Sequence, residues 1–334
     1  MNTLSATERP LVQCFDAALV DLDGVTYRGP EPIPTAPPAL QAAADAGMAL
    51  VYVTNNASRT PGDVAQHLID VGIPARGDDV MTAAGAAATL LAERLDSGAR
   101  VLVVGGRGLR IAVEAAGLTI VDSATDDPEA VVQGWSPDLG WKHLAEAAYA
   151  VHAGAWFLAT NLDKTLPNER GFAPGNGSLV RAVATAAEVE PDSAGKPEPA
   201  MFHLAARKVG ADTPLVIGDR LDTDLAGAVA AGYAGLMVLT GVNTAVDAML
   251  APPEYRPTFL GQTLESLHEA HPAATLGDGW WQVGESRARI RDGRVEFDGA
   301  VGIDRARAGC AAVWSREDEG DQPLVDAESI FGLG

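Results

Sequence analysis

Short aliphatic runs alternate with alanine-rich stretches of helical length through most of this chain, and no other feature limits its fold as strongly. AALVDLDG from Ala17 is followed by a helical stretch over Pro34 to Ala46, and MALVYVTNN from Met48 by another over Pro61 to Val71. Apolar runs without polar alternation suit strands covered on both faces, and a helix between two of them sets the strands parallel. The cycle resumes with a helix over Ala84 to Leu95, the strand VLVVG over Val101 to Gly105 and a helix over Leu109 to Ala116. It continues through AVVQGW and AWFLATN. It closes with a helix over Pro199 to Val209, the strand PLVIGD, a helix over Thr223 to Ala231 and the strand GLMVLTG. The expected fold is α/β with a doubly wound parallel-sheet core.

The texture changes after about residue 270. WWQVGESRARIRDGRVEFDG places Asp292-Gly293 between two alternating segments, which predicts a β-hairpin. The polar run SREDEGDQP, Ser315 to Pro323, carries no recognisable chemistry.

A chain of 334 residues exceeds what one hydrophobic core organises, so several structural units are expected to share it. Its 24 Lys and Arg against 45 Asp and Glu give a formal charge of −21, a field that repels nucleic acid and anionic membranes. Small phosphate esters are repelled too, so a site for them must concentrate positive charge locally. Cys14 and Cys310 stand far apart with no CxxC or Cys/His cluster, which argues against a zinc site or a disulfide framework. There is no basic-then-apolar leader and no apolar run of membrane-spanning length, so the expected location is the cytoplasm.

In an open parallel sheet, ligands gather outside the carboxyl ends of the strands. Three apolar runs close there on polar residues: Asp21-Leu22-Asp23-Gly24, Thr54-Asn55-Asn56, and Asp219 after PLVIG. A lone DxDG after a strand is more often a turn than a site, because Asp and Gly both favour turns. Here it is joined by TNN, by GKP at Gly195 to Pro197 and by GDRLDTD from Gly218, in that order.

This constellation resembles the haloacid dehalogenase-like phosphatase superfamily over roughly residues 14 to 270. The resemblance implies that Asp21 attacks phosphorus, Asp23 acts as acid and then base, Thr54 binds the phosphoryl group and Lys196 neutralises it. It further implies a Mg2+ ion held by Asp21, the backbone carbonyl of Asp23, and Asp219, with Asp224 in its outer shell. Gly24, Asn55, Asn56 and Asn161 are the candidate substrate-binding residues.

These residue types also suit the chemistry on physical grounds. A carboxylate roughly 4 Å from a phosphate dianion meets about 8 kcal/mol of repulsion at an effective dielectric of about 20, so attack requires a cation and an ammonium beside it. Oxygen-only ligands favour magnesium over zinc. Spacing by two puts Asp21 and Asp23 on one side of an extended chain and turns Leu22 inward. Gly24 is expected to let backbone N–H groups approach the phosphoryl oxygens.

Two other glycine motifs read differently. Gly195-Lys196 is followed by Pro197 where a nucleoside-triphosphate loop needs Ser or Thr. GGRGLR, Gly105 to Arg110, lacks the third glycine of GxGxxG and a convincing acidic partner about twenty residues on, and reads as a strand-to-helix turn.

About 140 residues separate TNN from GKP, far more than one crossover helix needs. A large inserted α/β cap at this place is similar to the class IIA branch, as are DLDGVTYRG, TNNASRTP, ATNLDKTLP and APGNGS. The expected division is core at 1–82, cap at 83–192, core at 193–272 and a short β-containing C-terminal extension at 273–334. Asn161 and Asp163 are expected at the cap hinge or facing the core, and Arg59, Arg107 and Arg220 are further candidate contacts.

The branch implies a small phosphorylated metabolite as substrate. Glycerol 3-phosphate is preferred, with phosphoglycolate, pyridoxal phosphate or a nucleotide monophosphate as alternatives. A phosphomutase and a non-catalytic metabolite-binding protein are the remoter readings. Neither nucleic acid nor membrane is an expected partner, and a homo-oligomer is left open.

Overall fold

The computed structural model describes residues 3–168, 170–316 and 322–332. Along the chain run β1 (Ala17–Asp21), α1 (Ala36–Asp45), β2 (Ala49–Thr54), α2 (Pro61–Asp70), β3 (Val80–Thr82) and α3 (Ala83–Arg94). Then come β4 (Arg100–Val104), α4 (Arg107–Ala115), β5 (Thr119–Val121), β6 (Ala130–Gln133), α5 (Trp141–His152), β7 (Trp156–Ala159), α6 (Asn176–Ala187) and β8 (Asp192–Ser193). The chain continues through α7 (Ala200–Val209), β9 (Pro214–Gly218), α8 (Ala226–Ala231), β10 (Ala234–Val238), α9 (Ala245–Met249) and β11 (Phe259–Gly261). It ends in β12 (Thr275–Gly277), β13 (Trp280–Val283), β14 (Ser286–Arg291), β15 (Arg294–Gly299) and α10 (Ile303–Trp314).

These elements form two compact units. One comprises Met1–Val51, Asp70–Pro74 and Ala206–Gly334, the other Tyr52–Ile69 and Ala75–Ala205. In the first, parallel strands follow the order β11-β10-β9-β1, with the opening half of β2 beside β1. Ala17 to Val20 pair with Pro214 to Ile217, and Leu215 to Gly218 with Ala234 to Met237. Every residue of β9 is buried, as are the first four of β1, which is why these strands carry no polar alternation.

The predicted hairpin is real but is part of a larger structure. Asp292 (φ 50°) and Gly293 (φ 72°) are both left-handed, as a two-residue hairpin turn requires, and Arg291 lies opposite Arg294. Strands β12 to β15 form a four-stranded antiparallel sheet. Helix α10, which the sequence reading did not anticipate, packs on it through Ala308 and Ala312. The same helix turns Ala306, Cys310 and Trp314 toward Leu221, Leu225, Met249 and Leu260. The extension therefore shares its core with the strands that carry Asp219. Within the polar run Ser315 to Pro323, residues 317–321 lie outside the described residues.

In the second unit the closing half of β2 pairs with β3, and a separate parallel sheet has the order β8-β7-β6-β4-β5. Leu102, Val131 and Phe157 pack there against Ala147, Val151, Val180 and Val183 of α5 and α6. Among the described residues no helix is long and apolar enough to cross a membrane.

Candidate active site

In the first unit, β1 and β9 end side by side because their parallel register brings Val20 opposite Ile217. Each strand then delivers a carboxylate, Asp21 and Asp219. The chain after β9 enters a π-helical turn, Leu221–Leu225, which carries Asp224 back toward the strand end. Asp21, Asp219 and Asp224 each place one carboxylate oxygen within 4.8 Å of the others, with Asp219 and Asp224 buried. Three oxygen donors converging this closely repel one another unless a cation lies among them, and a hard oxygen set fits magnesium. Asp224 thus stands with the other two carboxylates. Asp23 is exposed and outside this group, and Leu22 between the two acids is buried.

The cluster is held by backbone. The N–H of Val242 donates to Asp219 Oδ2 at 2.6 Å and that of Arg220 to Asp224 Oδ2 at 3.2 Å. Thr240 Oγ1 donates to the carbonyl of Gly24 at 2.6 Å, and Arg28 donates to the carbonyl of Thr240, tying the loop after β1 to the loop after β10. Gly24 also packs against the carboxylate cluster. Its N–H donates to the carbonyl of Tyr27 at 2.8 Å. A Cβ here would lie 2.5 Å from Asp219 Oδ2, on a backbone with φ +85°. Glycine is needed at this position to make room for the carboxylate. Gly218 and Gly241, which the sequence reading did not single out, crowd Asp224 and Asp219 in the same way.

The second unit carries the other candidates. Thr54 ends β2, and its Oγ1 accepts the Asn56 N–H at 3.1 Å. Asn56 Oδ1 in turn accepts from both the N–H and the Oγ of Ser58 at 2.8 Å. Asn55 joins three loops: its Nδ2 donates to Asp163 (3.2 Å) and to the carbonyl of Lys196 (3.1 Å), while its Oδ1 accepts the Lys196 N–H at 2.9 Å. Asn161 Nδ2 donates to the carbonyl of Asn55 at 2.8 Å, and Asn161 Oδ1 accepts the Asp163 N–H at 3.2 Å.

In the structure the Asn55 amide thus bonds the Asp163 carboxylate and the Lys196 backbone, and the Asn161 amide bonds the Asn55 carbonyl and the Asp163 N–H, so both side chains hold neighbouring loops; the sequence reading expected substrate contacts from them. Lys196 is only 4% exposed, and its Nζ donates to the carbonyl of Val53 at 3.5 Å. A Cβ on Gly195 would lie 2.5 Å from the Thr160 carbonyl and 2.7 Å from Asn55 Oδ1, which explains the glycine before this lysine. Arg59 and Arg107 both lie near enough to Asp63 to lower its pKa, after the larger effect of hydrogen bonds from Thr60. Arg220 pairs with exposed Asp222 at 2.8 Å.

The model of a family described as haloacid dehalogenase-like hydrolase matches residues 18–119, and a HAD-hydrolase-like model matches residues 193–269. The chain is 45% identical over 314 residues to a D-glycerol 3-phosphate phosphatase of Mycobacterium tuberculosis, covering 92% of this chain and 88% of the relative. It is 35% identical to an acid sugar phosphatase of Staphylococcus saprophyticus, covering 76% of this chain and 99% of that enzyme. Among solved structures, glycerol phosphate phosphatase from M. tuberculosis in complex with magnesium superposes with a TM-score of 0.84 at 43% identity, over 95% of this chain and 94% of that one. A thermostable NPPase from Geobacillus stearothermophilus gives 0.69 at 31% identity, over 75% and 97%. With its family motifs placed on adjoining strand ends and relatives of this identity spanning most of both chains, the chain belongs to the haloacid dehalogenase-like hydrolases.

Proposed function

We propose that the protein is a magnesium-dependent phosphatase of small phosphate monoesters, with glycerol 3-phosphate as its preferred substrate and Asp21 as its nucleophile. The observation that carries the chemistry is the convergence of Asp21, Asp219 and Asp224 at neighbouring strand ends. The substrate preference is supported by the 45% identity to a D-glycerol 3-phosphate phosphatase over nearly the whole chain.

In this reading an Asp21 oxygen forms a bond to phosphorus while the ester P–O bond breaks. Asp23, exposed and outside the carboxylate cluster, donates the proton that the leaving alkoxide needs. Asp23 then takes a proton from the water that hydrolyses the aspartyl phosphate, which restores both carboxyl groups. Thr54 and Lys196 hold the phosphoryl oxygens, the lysine countering their charge. Magnesium, held by Asp21, Asp219, Asp224 and the backbone carbonyl of Asp23, supplies the positive charge that lets an anionic nucleophile face an anionic ester. Gly24 and the hydrogen-bonded residues Asn55, Asn56 and Asn161 keep the loops that bear these groups in place.

The division into core 1–82 and 193–272, cap 83–192 and extension 273–334 belongs to the same proposal. A cytoplasmic location completes it, and the oligomeric state is left open.

The test is magnesium-dependent release of phosphate from glycerol 3-phosphate, phosphoglycolate, pyridoxal phosphate and nucleoside monophosphates, for wild type and Asp21→Asn. Release by wild type alone, with the highest kcat/KM for glycerol 3-phosphate, is the expected result. Equal activity of the two proteins, or inertness of both across the panel, refutes the assignment of Asp21, and a different ranking refutes the substrate.

A further inference from the structure

We infer that the second unit holds a ligand site of its own, a nucleotide pocket at the carboxyl ends of β4 and β6. These two strands are neighbours, yet their onward connections diverge. β4 leads through α4 to β5 on one side of the sheet order, and β6 through α5 to β7 on the other. Such a switch point leaves a crevice between the two connections, and this is where open α/β sheets take up ligands. A cavity of about 740 Å3 opens at this place, bounded by the Gly105-Gly106 turn, α4, Ser136 and α5. That volume accommodates a mononucleotide.

Each part of a nucleotide has a matching group. For phosphate, the turn after β4 runs without side chains into α4, whose first residue is Arg107 and whose cap residue Gly106 offers no side-chain hydrogen bond to the leading N–H groups. A Cβ at Gly105 would come within 2.9 Å of Leu109 and 3.2 Å of the Gly134 carbonyl, so the two strand ends meet closely. Lys142, in the first turn of α5, lines the cavity and has no ion-pair partner among the described residues.

For ribose hydroxyls there is Asp122, directly after β5 and lining the same cavity. This is the acidic partner that spacing alone did not reveal beside GGRGLR. Its carboxylate pairs with Arg110 at 3.2 Å, but with the Asp122 side chain 84% exposed that pair is weak and exchangeable. For a base there are the rings of Trp141, 76% exposed, and Tyr149, 58% exposed, both on the cavity wall.

Two further acids line the cavity: Glu146 is already engaged by the Ser123 hydroxyl and the Ala124 N–H and so opposes an anionic ligand less than a free carboxylate would, and Asp138 is exposed, where solvent and salt screen its charge.

The test uses the full-length protein in EDTA, so that hydrolysis is silent, and measures binding of ADP, adenosine and inorganic phosphate by calorimetry and tryptophan fluorescence. Saturable ADP binding is expected, undiminished by excess glycerol 3-phosphate. Lys142→Glu should weaken ADP by at least about tenfold while sparing adenosine, and Trp141→Ala should weaken both nucleoside-containing ligands. Both residues are exposed, and unchanged thermal melting will show that each variant is folded. The inference is overturned by the absence of saturable ADP binding up to about 1 mM. It is equally overturned by ADP binding that survives both substitutions or that glycerol 3-phosphate displaces.

Discussion

Replacing Gly24 by alanine tests whether glycine is there to shape the carboxylate cluster. The change has two consequences. Alanine at φ +85° costs about 1–2 kcal/mol in backbone energy wherever it occurs. The new Cβ would also lie 2.5 Å from Asp219 Oδ2, and since ordinary contacts begin near 3.4 Å, the carboxylate must retreat by about 0.9 Å. Gly29 separates the two effects, because its φ is +59° but no atom lies within 4 Å of a Cβ built there. Gly29→Ala should therefore lose only the backbone term in urea unfolding and keep the wild-type magnesium requirement. A metal ligand tolerates a shift of only a few tenths of an ångström, so Gly24→Ala should raise the magnesium concentration for half-maximal phosphate release by at least about tenfold. Magnesium titration of activity for the three proteins decides the matter. An unchanged requirement in Gly24→Ala, or an equal rise in Gly29→Ala, refutes the reasoning.

Other consequences can be measured independently. His271 is 2% exposed, and burial, then the neighbouring Arg307, lower its pKa from 6.5 to about 4. The unfolded chain binds a proton there that the folded chain refuses. Stability should be complete above about pH 6.5 and fall by up to about 1.4 kcal/mol per pH unit toward pH 4, a slope that His271→Gln should reduce in urea unfolding. Trp314, buried at the end of α10, donates from Nε1 to the carbonyls of Ala248 and Met249, so Trp314→Ala should cost about 3–5 kcal/mol in chemical unfolding. Asn55→Leu leaves the Lys196 backbone and Asp163 without their amide partner, and should lower kcat more than it raises KM in steady-state assays.

Much of the fold and the positions of the acids were legible in the sequence for local reasons. Uninterrupted apolar runs report strands covered on both faces, and a parallel sheet gathers its chemistry at their carboxyl ends, so Asp21 and Asp219 declare themselves by closing such runs. Asp292-Gly293 declared its turn because a tight hairpin needs two left-handed residues. What remained hidden depends on how distant segments meet. Gly24 is 216 positions from Thr240, which clamps it, and no local preference records that the same glycine faces Asp219. Asn55 and Asn161 look like ligand-binding amides in a linear motif, and only the folded chain shows the Asn55 amide donating to Asp163 and the Lys196 carbonyl and the Asn161 amide donating to the Asn55 carbonyl. Helix α10 was equally opaque, because its alanines and Gly309 suit close packing whose partners lie on β10, β11 and the terminal sheet. Sequence periodicity thus determined the strands and the residues that end them. Tertiary structure decided which side chains are free to act and which hold others in place, because that depends on contacts between segments far apart in the chain.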